Sequence, residues 1–378
     1  MKTILLFTLL TLSFAYNKKA LEIHIFNVGN ADSQLVVFPS GYSILIDCGD
    51  RDTTNASNTK LIAKRIETIL GKKSIDVFVL THYHGDHFGI KGKNGIWHLL
   101  EKQKFSIGKF IKRDIARYNG SKLSDCSKTT LKYKYLGSMD STKAKFVCYS
   151  VSSKDKTKLS KVAENANICS TTQINPPDTG AKVTILMRDA LGIKDEETGK
   201  KLSRDSRTDT LKVAENDFSI CLRIQFGKFV YATCGDLTGY TYEVNSNKYH
   251  DVESYVAPMM GEVDLLNANH HGAKSATNEK WANTLKPTVT VVSCEGGDLP
   301  YSRTLENLKN VNSVVYTTGD SYSSTVEQYG ATQMGDDVVV TVPTNGKKFT
   351  VASPSGKKSK TFNIKMNKKA PEACKKLY

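Results

Sequence analysis

THYHGDH, residues 81–87, sets three of the chain's eight histidines and one aspartate within six positions. It follows SIDVFVL (74–80), an apolar run of strand length, and precedes a segment that begins as a helix near residue 96. Side chains just past a strand end alternate in direction, so His82 and His84 are expected to face one side and grip one ion. Asp86 and His87, at the start of the next helix, are expected to turn toward a second position. Imidazole and carboxylate at this density suit zinc, with manganese or iron as alternatives.

Outward from this motif the text alternates strand and helix. Residues 21–50 read as three short strands, with a hairpin turn in FPSGYS, and residues 58–70 as a helix with one apolar face. Strand, helix, strand, site, helix is an α/β order. From about 102 to 210 the chain is rich in Lys, Ser, Thr and Asp, and the expectation is an insertion or cap. Within it KFSIGKFIKRDIARY, KAKFVCYSVSS and AKVTILMRDA read as strands. Regular pattern returns with FSICLRIQFGKFVYATCGD, two strands joined by a tight turn at Gly227. VDLLNANHHG, PTVTVVSCEGGD, SVVYTT, DDVVVTVP and KKFTVAS follow as strands, and TNEKWANTLK as a helix. Residues 357–378 read as a frayed, lysine-rich tail.

Two further strand ends carry ligand chemistry. Asp236 closes FVYATCGD, where a carboxylate could bridge two ions, although Gly-Asp after a strand is also ordinary turn text. His270 and His271 close VDLLNANHHG. Two adjacent histidines on an extended segment cannot both face one point, so one is read as ligand and the other as a substrate or supporting contact.

Composition bounds the setting. Residues 1–15, MKTILLFTLLTLSFA, have the charged start, apolar run and small residues of a secretory signal peptide, and the run is too short to span a bilayer. The expectation is a secreted protein with no transmembrane anchor. A net charge of +15 suits a polyanionic partner without identifying one. Eight cysteines in an oxidising compartment allow disulfides. Cys48, Cys221, Cys234 and Cys294 lie in or beside apolar runs and read as small core residues. Cys126, Cys148 and Cys169 lie in polar text, where a disulfide is more useful.

With these motifs in hand, the chain resembles the metallo-β-lactamase superfamily, and more narrowly the ComEC-like hydrolase domains of DNA-uptake proteins. The resemblance rests on FNVGNAD (26–32), ILIDCG (44–49), THYHGDHFG (81–89), ENDFSICLRIQFGKFVYATCGDL (215–237) and NANHHGAKS (267–275). VTVVSCEGGD (289–298), VVYTTGD (314–320) and GDDVVVTV (335–342) match more weakly. It implies an αββα sandwich, two mixed sheets flanked by helices, over residues 16–356, with the 102–210 segment inserted. It also implies two zinc ions. His82 and His84 would bind one, Asp86 and His87 the other, Asp236 would bridge, and His271 would complete the second site. Asp47 would orient the histidine loop. Asp86 and His270 would take catalytic roles, His270 as a phosphate contact or proton donor.

The pattern is not complete. Many superfamily members carry a further histidine between the first cluster and the bridging aspartate. Here only His98 falls there, on a helix where it reads as packed or solvent-facing, so the first ion would be held more weakly, be completed by water, or take Asp217 as the candidate for the missing ligand. The turn Asn27-Val-Gly-Asn-Ala-Asp32 replaces the usual Asp-Val-Gly-Gln-Gly-Asp. No partners are evident for His24 and His250.

The implied activity is hydrolysis by metal-activated water, of a phosphodiester such as nucleic acid. The alternatives are a small-molecule esterase, lactonase or phosphorylcholine-esterase-like hydrolase, and a non-catalytic secreted binding protein that kept the fold.

Overall fold

The structure is a computed structural model that describes residues 16–114, 141–151, 157–194, 199, 214–244, 247–320 and 324–374. The expected signal peptide, Cys126 and much of the lysine-rich middle lie outside the described residues. Among those described, no helix is long and apolar enough to cross a membrane.

Two large mixed sheets dominate. The first runs, edge to edge, through Ser359–Asn363, Lys348–Ala352, Val338–Pro343, Ala20–Ile25, Gln34–Val37, Ser43–Ile46, Ser74–Val79, Ser106–Lys112 and Ala163–Asn165. Its pairings are antiparallel as far as Ser43–Ile46 and parallel beyond. The second runs through Thr332–Gln333, Val314–Thr317, Val289–Val292, Leu265–Asn267, Phe229–Thr233, Cys221–Phe226 and Ala181–Met187. Only its last two pairings are antiparallel.

The period-2 pattern of these strands decides the layering. Ile23, Ile25, Val36, Ile44 and Val77 of the first sheet share one buried cluster with Val183, Leu222, Ile224, Tyr231 and Val289 of the second. The opposite faces are covered by helices. Ser57–Leu70 lays Ile62, Ile66 and Leu70, each four apart, with Ala63 beside them, against Leu45, Phe78 and Phe110. Glu253–Met260 and Glu279–Leu285 cover Val230, Ala232 and Leu266 with Val256, Trp281 and Leu285. Helix, sheet, sheet and helix in that order are compatible with an αββα sandwich.

Several expectations are corrected. KAKFVCYSVSS is not a strand: Ser141–Val151 is a helix, and Phe146 stacks on Phe88 with ring centroids 3.9 Å apart. The segment 102–210 is not wholly an insertion, because Ser106–Lys112 and Ala163–Asn165 extend the first sheet and Ala181–Met187 forms an edge of the second. The tail is not frayed throughout. Ser359–Asn363 pairs with Lys348–Ala352, and Cys374 is disulfide-bonded to Cys169. Cys221 and Cys234, expected as separate core residues, form a disulfide across adjacent antiparallel strands, whereas Cys48 and Cys294 are buried as expected.

Candidate metal centre

Three strand ends and one short helix bring the candidate ligands together. Ser74–Val79 delivers Thr81, His82 and His84, and the turn of helix Gly85–Phe88 delivers Asp86 and His87. Phe229–Thr233 ends just before Asp236, and Leu265–Asn267 just before His270 and His271. Parallel pairing of the last two strands sets their ends side by side.

His87 lies at the centre. Its Nε2 is 3.0 Å from Asp236 Oδ1, and His271 Nε2 is 3.7 Å from the same oxygen. His82 Nε2 stands 3.5 Å from Asp236 Oδ2, and His84 Nδ1 3.0 Å from His82 Nε2. Asp86 Oδ2 is 3.9 Å from His271 Nε2. His270 Nε2 approaches Asp236 Oδ2 at 3.7 Å from the more open side. Two sets of ligating atoms, His82–His87–Asp236 and Asp86–His87–His271, each lie within 4.8 Å of one another. The six expected ligands and His270 therefore converge on one place.

Buried polar atoms are normally hydrogen-bonded. Here His87 Nε2, Asp236 Oδ1 and His271 Nε2 are all buried and converge without well-aligned hydrogen bonds, the nearest approach being the 3.0 Å ion pair of His87 with Asp236. In each histidine the other ring nitrogen is held. His87 Nδ1 lies 2.7 Å from Asp47 Oδ2, and His271 Nδ1 lies 2.7 Å from the Ser293 carbonyl. Donation from Nδ1 fixes the tautomer whose Nε2 lone pair faces inward, the usual support of a metal-binding imidazole. The donor set fits a divalent cation of the zinc class.

Charge at the cluster is strongly coupled. Without a cation, burial disfavours the charged form of His87, but the carboxylates of Asp236 and Asp47 outweigh it and hold its pKa well above the ordinary value, so a cation at Nε2 would displace a proton. Burial likewise opposes ionisation of Asp236, yet His87, His270, His82 and His271 keep it well below the usual carboxylate range. Burial lowers the pKa of His270, so its imidazole is neutral near pH 7.

The scaffold is tied to the motif by backbone contacts. Cys48 N donates to His87 O at 2.7 Å and Asp32 N to Asp86 O at 3.0 Å. A Cβ on Gly49 would sit 1.7 Å from Asp86 O, so only glycine passes there. Gly235 combines a φ of +55° with a Cβ position 2.3 Å from Thr81 Oγ1. His270 and His271 both adopt left-handed backbone, φ 50° and 53°. Side chains pay for that conformation, and it persists only where the surroundings enforce it. The buried Glu253 carboxyl group does so here, accepting from Asn269 Nδ2, Thr277 N and Asn278 N at 2.7–2.8 Å.

Asp217, the candidate for the missing ligand, points elsewhere. Its carboxylate meets His250 Nδ1 at 2.8 Å and accepts from Thr238 Oγ1, which also gives His250 a partner. The neighbouring residues do the work at the site. Asn216 Nδ2 lies 3.0 Å from His270 Nε2, and Glu215 Oε1 accepts from Tyr83 N at 2.8 Å between the first two histidines. Buried Arg113 grips Glu215 through Nε and Nη2 at 2.8 and 2.7 Å. His98 stays on its helix against Lys93 and Gln103, and His24 faces Glu22. Asp32 is buried and accepts from Gln34, Asn267 and Ser293. Arg51, missed in the sequence, reaches Asp86 Oδ2 at 2.6 Å from an exposed position.

No family model matches the chain, and no curated protein matches it. Among solved structures, the chain is similar to a "putative metal-dependent hydrolase" from Parabacteroides distasonis ATCC 8503. The two are 13% identical with a TM-score of 0.37, over 82% of this chain and 97% of that one. A likeness at this level leaves fold and chemistry to this chain's own sheets and side chains.

Proposed function

We propose that this chain is a secreted metal-dependent hydrolase with the metallo-β-lactamase αββα fold, acting on phosphodiester bonds. The observation that carries the reading is the convergence of His87 Nε2, Asp236 Oδ1 and His271 Nε2, buried and without well-aligned hydrogen bonds. Such an arrangement is costly unless a cation completes it.

His82, His84 and Asp236 would hold one ion, and Asp86, His87, Asp236 and His271 a neighbouring one, zinc being favoured over manganese or iron by the imidazole-rich set. A bound ion supplies a water of pKa about 7 and offsets the charge that develops on phosphoryl oxygens. The protein's part is orientation. Asp47 and the Ser293 carbonyl fix the His87 and His271 rings through their Nδ1 atoms. His270 stands at the open side, partly exposed, with Asn216 and Ser275 against its ring. There its Nε2 can contact a phosphoryl oxygen. Arg51 beside Asp86 adds a cation at the mouth. The chain's net charge of +15 suits a polyanionic substrate. Residues 1–15 are assigned to export.

The test is a side-by-side assay of bis-p-nitrophenyl phosphate, plasmid DNA, a lactone and a β-lactam, with added zinc or manganese. Phosphodiester turnover that disappears in His87→Ala is expected. Turnover of the lactone alone would replace this reading with a small-molecule lactonase. A full metal complement with no turnover of any substrate would leave a binding protein.

A further inference from the structure

Between Asp236 and His250 the chain throws out a short hairpin, Tyr242–Val244 paired antiparallel with Asn247–Tyr249. Tyr242 lies directly opposite Tyr249, and the rings stack with centroids 4.6 Å apart and planes 3° from parallel. A two-stranded hairpin this short is marginal alone, so its placement must come from its roots and its side chains. The first root, the loop that carries Asp236, adjoins the candidate metal centre. The second, His250, is fixed on Asp217, one residue from Asn216, which contacts His270.

The side chains point the same way. The Tyr242 phenol lies near Ser275, whose Oγ contacts His270 Nδ1. The Tyr249 phenol is pushed up to about 12 by burial, by Tyr242 and by the nearby carboxylates of Asp217 and Asp236. Both rings are only partly buried. A third aromatic, Tyr240, precedes the hairpin by two residues. Tyr240 carries the Arg303 guanidinium 3.9 Å over its ring, and Arg303 Nη2 donates to the Lys274 carbonyl beside the histidine loop. Stacked aromatic faces rimmed by a guanidinium are the chemistry that receives bases and backbone phosphates of single-stranded nucleic acid.

We propose that the Tyr242–Tyr249 pair, extended by Tyr240 and Arg303, is a subsite for the nucleobase flanking the phosphodiester held at the metal centre. This rests on the hydrolase reading above and narrows its substrate to nucleotide phosphodiesters with an unpaired base. The tyrosines contribute ring faces and the arginine meets the adjoining phosphate.

The test compares thymidine 5′-(p-nitrophenyl phosphate) with methyl p-nitrophenyl phosphate, which share a leaving group and differ only in the base-bearing side. The full-length protein should favour the thymidine ester by about tenfold in kcat/KM, the low part of the range for stacking one base. Tyr249→Ala and Tyr249→Leu should collapse that ratio toward one, and Tyr249→Phe should keep it. Calorimetric binding of thymidine 5′-monophosphate against methyl phosphate, in the same variants, reads the subsite without turnover. If neither ester is cleaved but the thymidine binding preference follows the ring, the hydrolase reading falls and the subsite stands. A wild-type ratio near one, or a ratio that survives in folded Tyr249→Ala and Tyr249→Leu, would overturn the subsite.

Discussion

Replacing Asp47 with asparagine isolates what orients the metal centre. Asp47 is fully buried, in left-handed backbone with φ 57°, a conformation asparagine also tolerates. Its Oδ1 accepts from Thr81 N at 2.8 Å, and its Oδ2 accepts from Thr81 Oγ1 and faces His87 Nδ1, each at 2.7 Å. An amide can keep the Thr81 N bond, but it then turns an NH2 toward Thr81 Oγ1 and His87 Nδ1. The His87 proton would have to move to Nε2, the atom aimed at Asp236. Loss of a supporting partner of this kind costs about 10–100-fold in metal affinity. Disrupting a buried hydrogen-bonded group adds about 1–3 kcal/mol of lost stability. Competition with a chromophoric zinc chelator measures the first quantity and urea unfolding of the metal-free protein the second. An Asp47→Asn protein with wild-type zinc affinity would refute the tautomer argument, whatever its stability.

Three other perturbations bear on the frame. Arg113→Ala should cost about 3–5 kcal/mol in urea unfolding, because it leaves the Glu215 carboxylate buried without its guanidinium; a loss under 1 kcal/mol would show the pair to be dispensable. Burial pushes the Glu253 carboxyl up from 4.5 to about 8, against the pull of its N–H donors. The folded state therefore binds the extra proton, so this group's contribution is fully present below pH 4.5 and is lost as pH rises through 8. Glu253→Gln should flatten that decline, and stability profiles of the two proteins that run parallel from pH 4.5 to 9 would contradict it. Cys374→Ser removes a crosslink spanning 205 residues and should lower stability by about 2–5 kcal/mol under oxidising conditions; no change in the unfolding midpoint would show that the tail contributes nothing.

What was legible in the sequence is what strands and ligands write locally. His82, His84, Asp86 and His87 announce themselves by density after an apolar strand, and Asp236 and His270–His271 by standing at strand ends. The disulfide Cys221–Cys234 was within reach, since a hairpin turning at Gly227 sets the two residues opposite each other. The supports were not legible. Arg113 meets Glu215 across 102 residues, and Glu253 holds Asn269 and Asn278 from a helix that carried no site signal. The place of Asp217 in the chain suggests a ligand, but His250 and Thr238 take its carboxylate. KAKFVCYSVSS misled because its apolar residues suit either period, and contact with Phe88 decides for a helix. The tail misled by charge: most of Ser359–Asn363 is exposed, and strand pairing with burial of Phe362 places it.

The central claim is that the convergent atoms of His87, Asp236 and His271 bind a transition metal. Elemental analysis and zinc titration of the purified protein, beside His87→Ala and Asp236→Ala, test it most directly. The account predicts at least one tightly held transition-metal ion per chain in the wild type and a loss of tight binding in both variants. Wild-type protein that binds zinc, manganese and iron no better than the variants would contradict it.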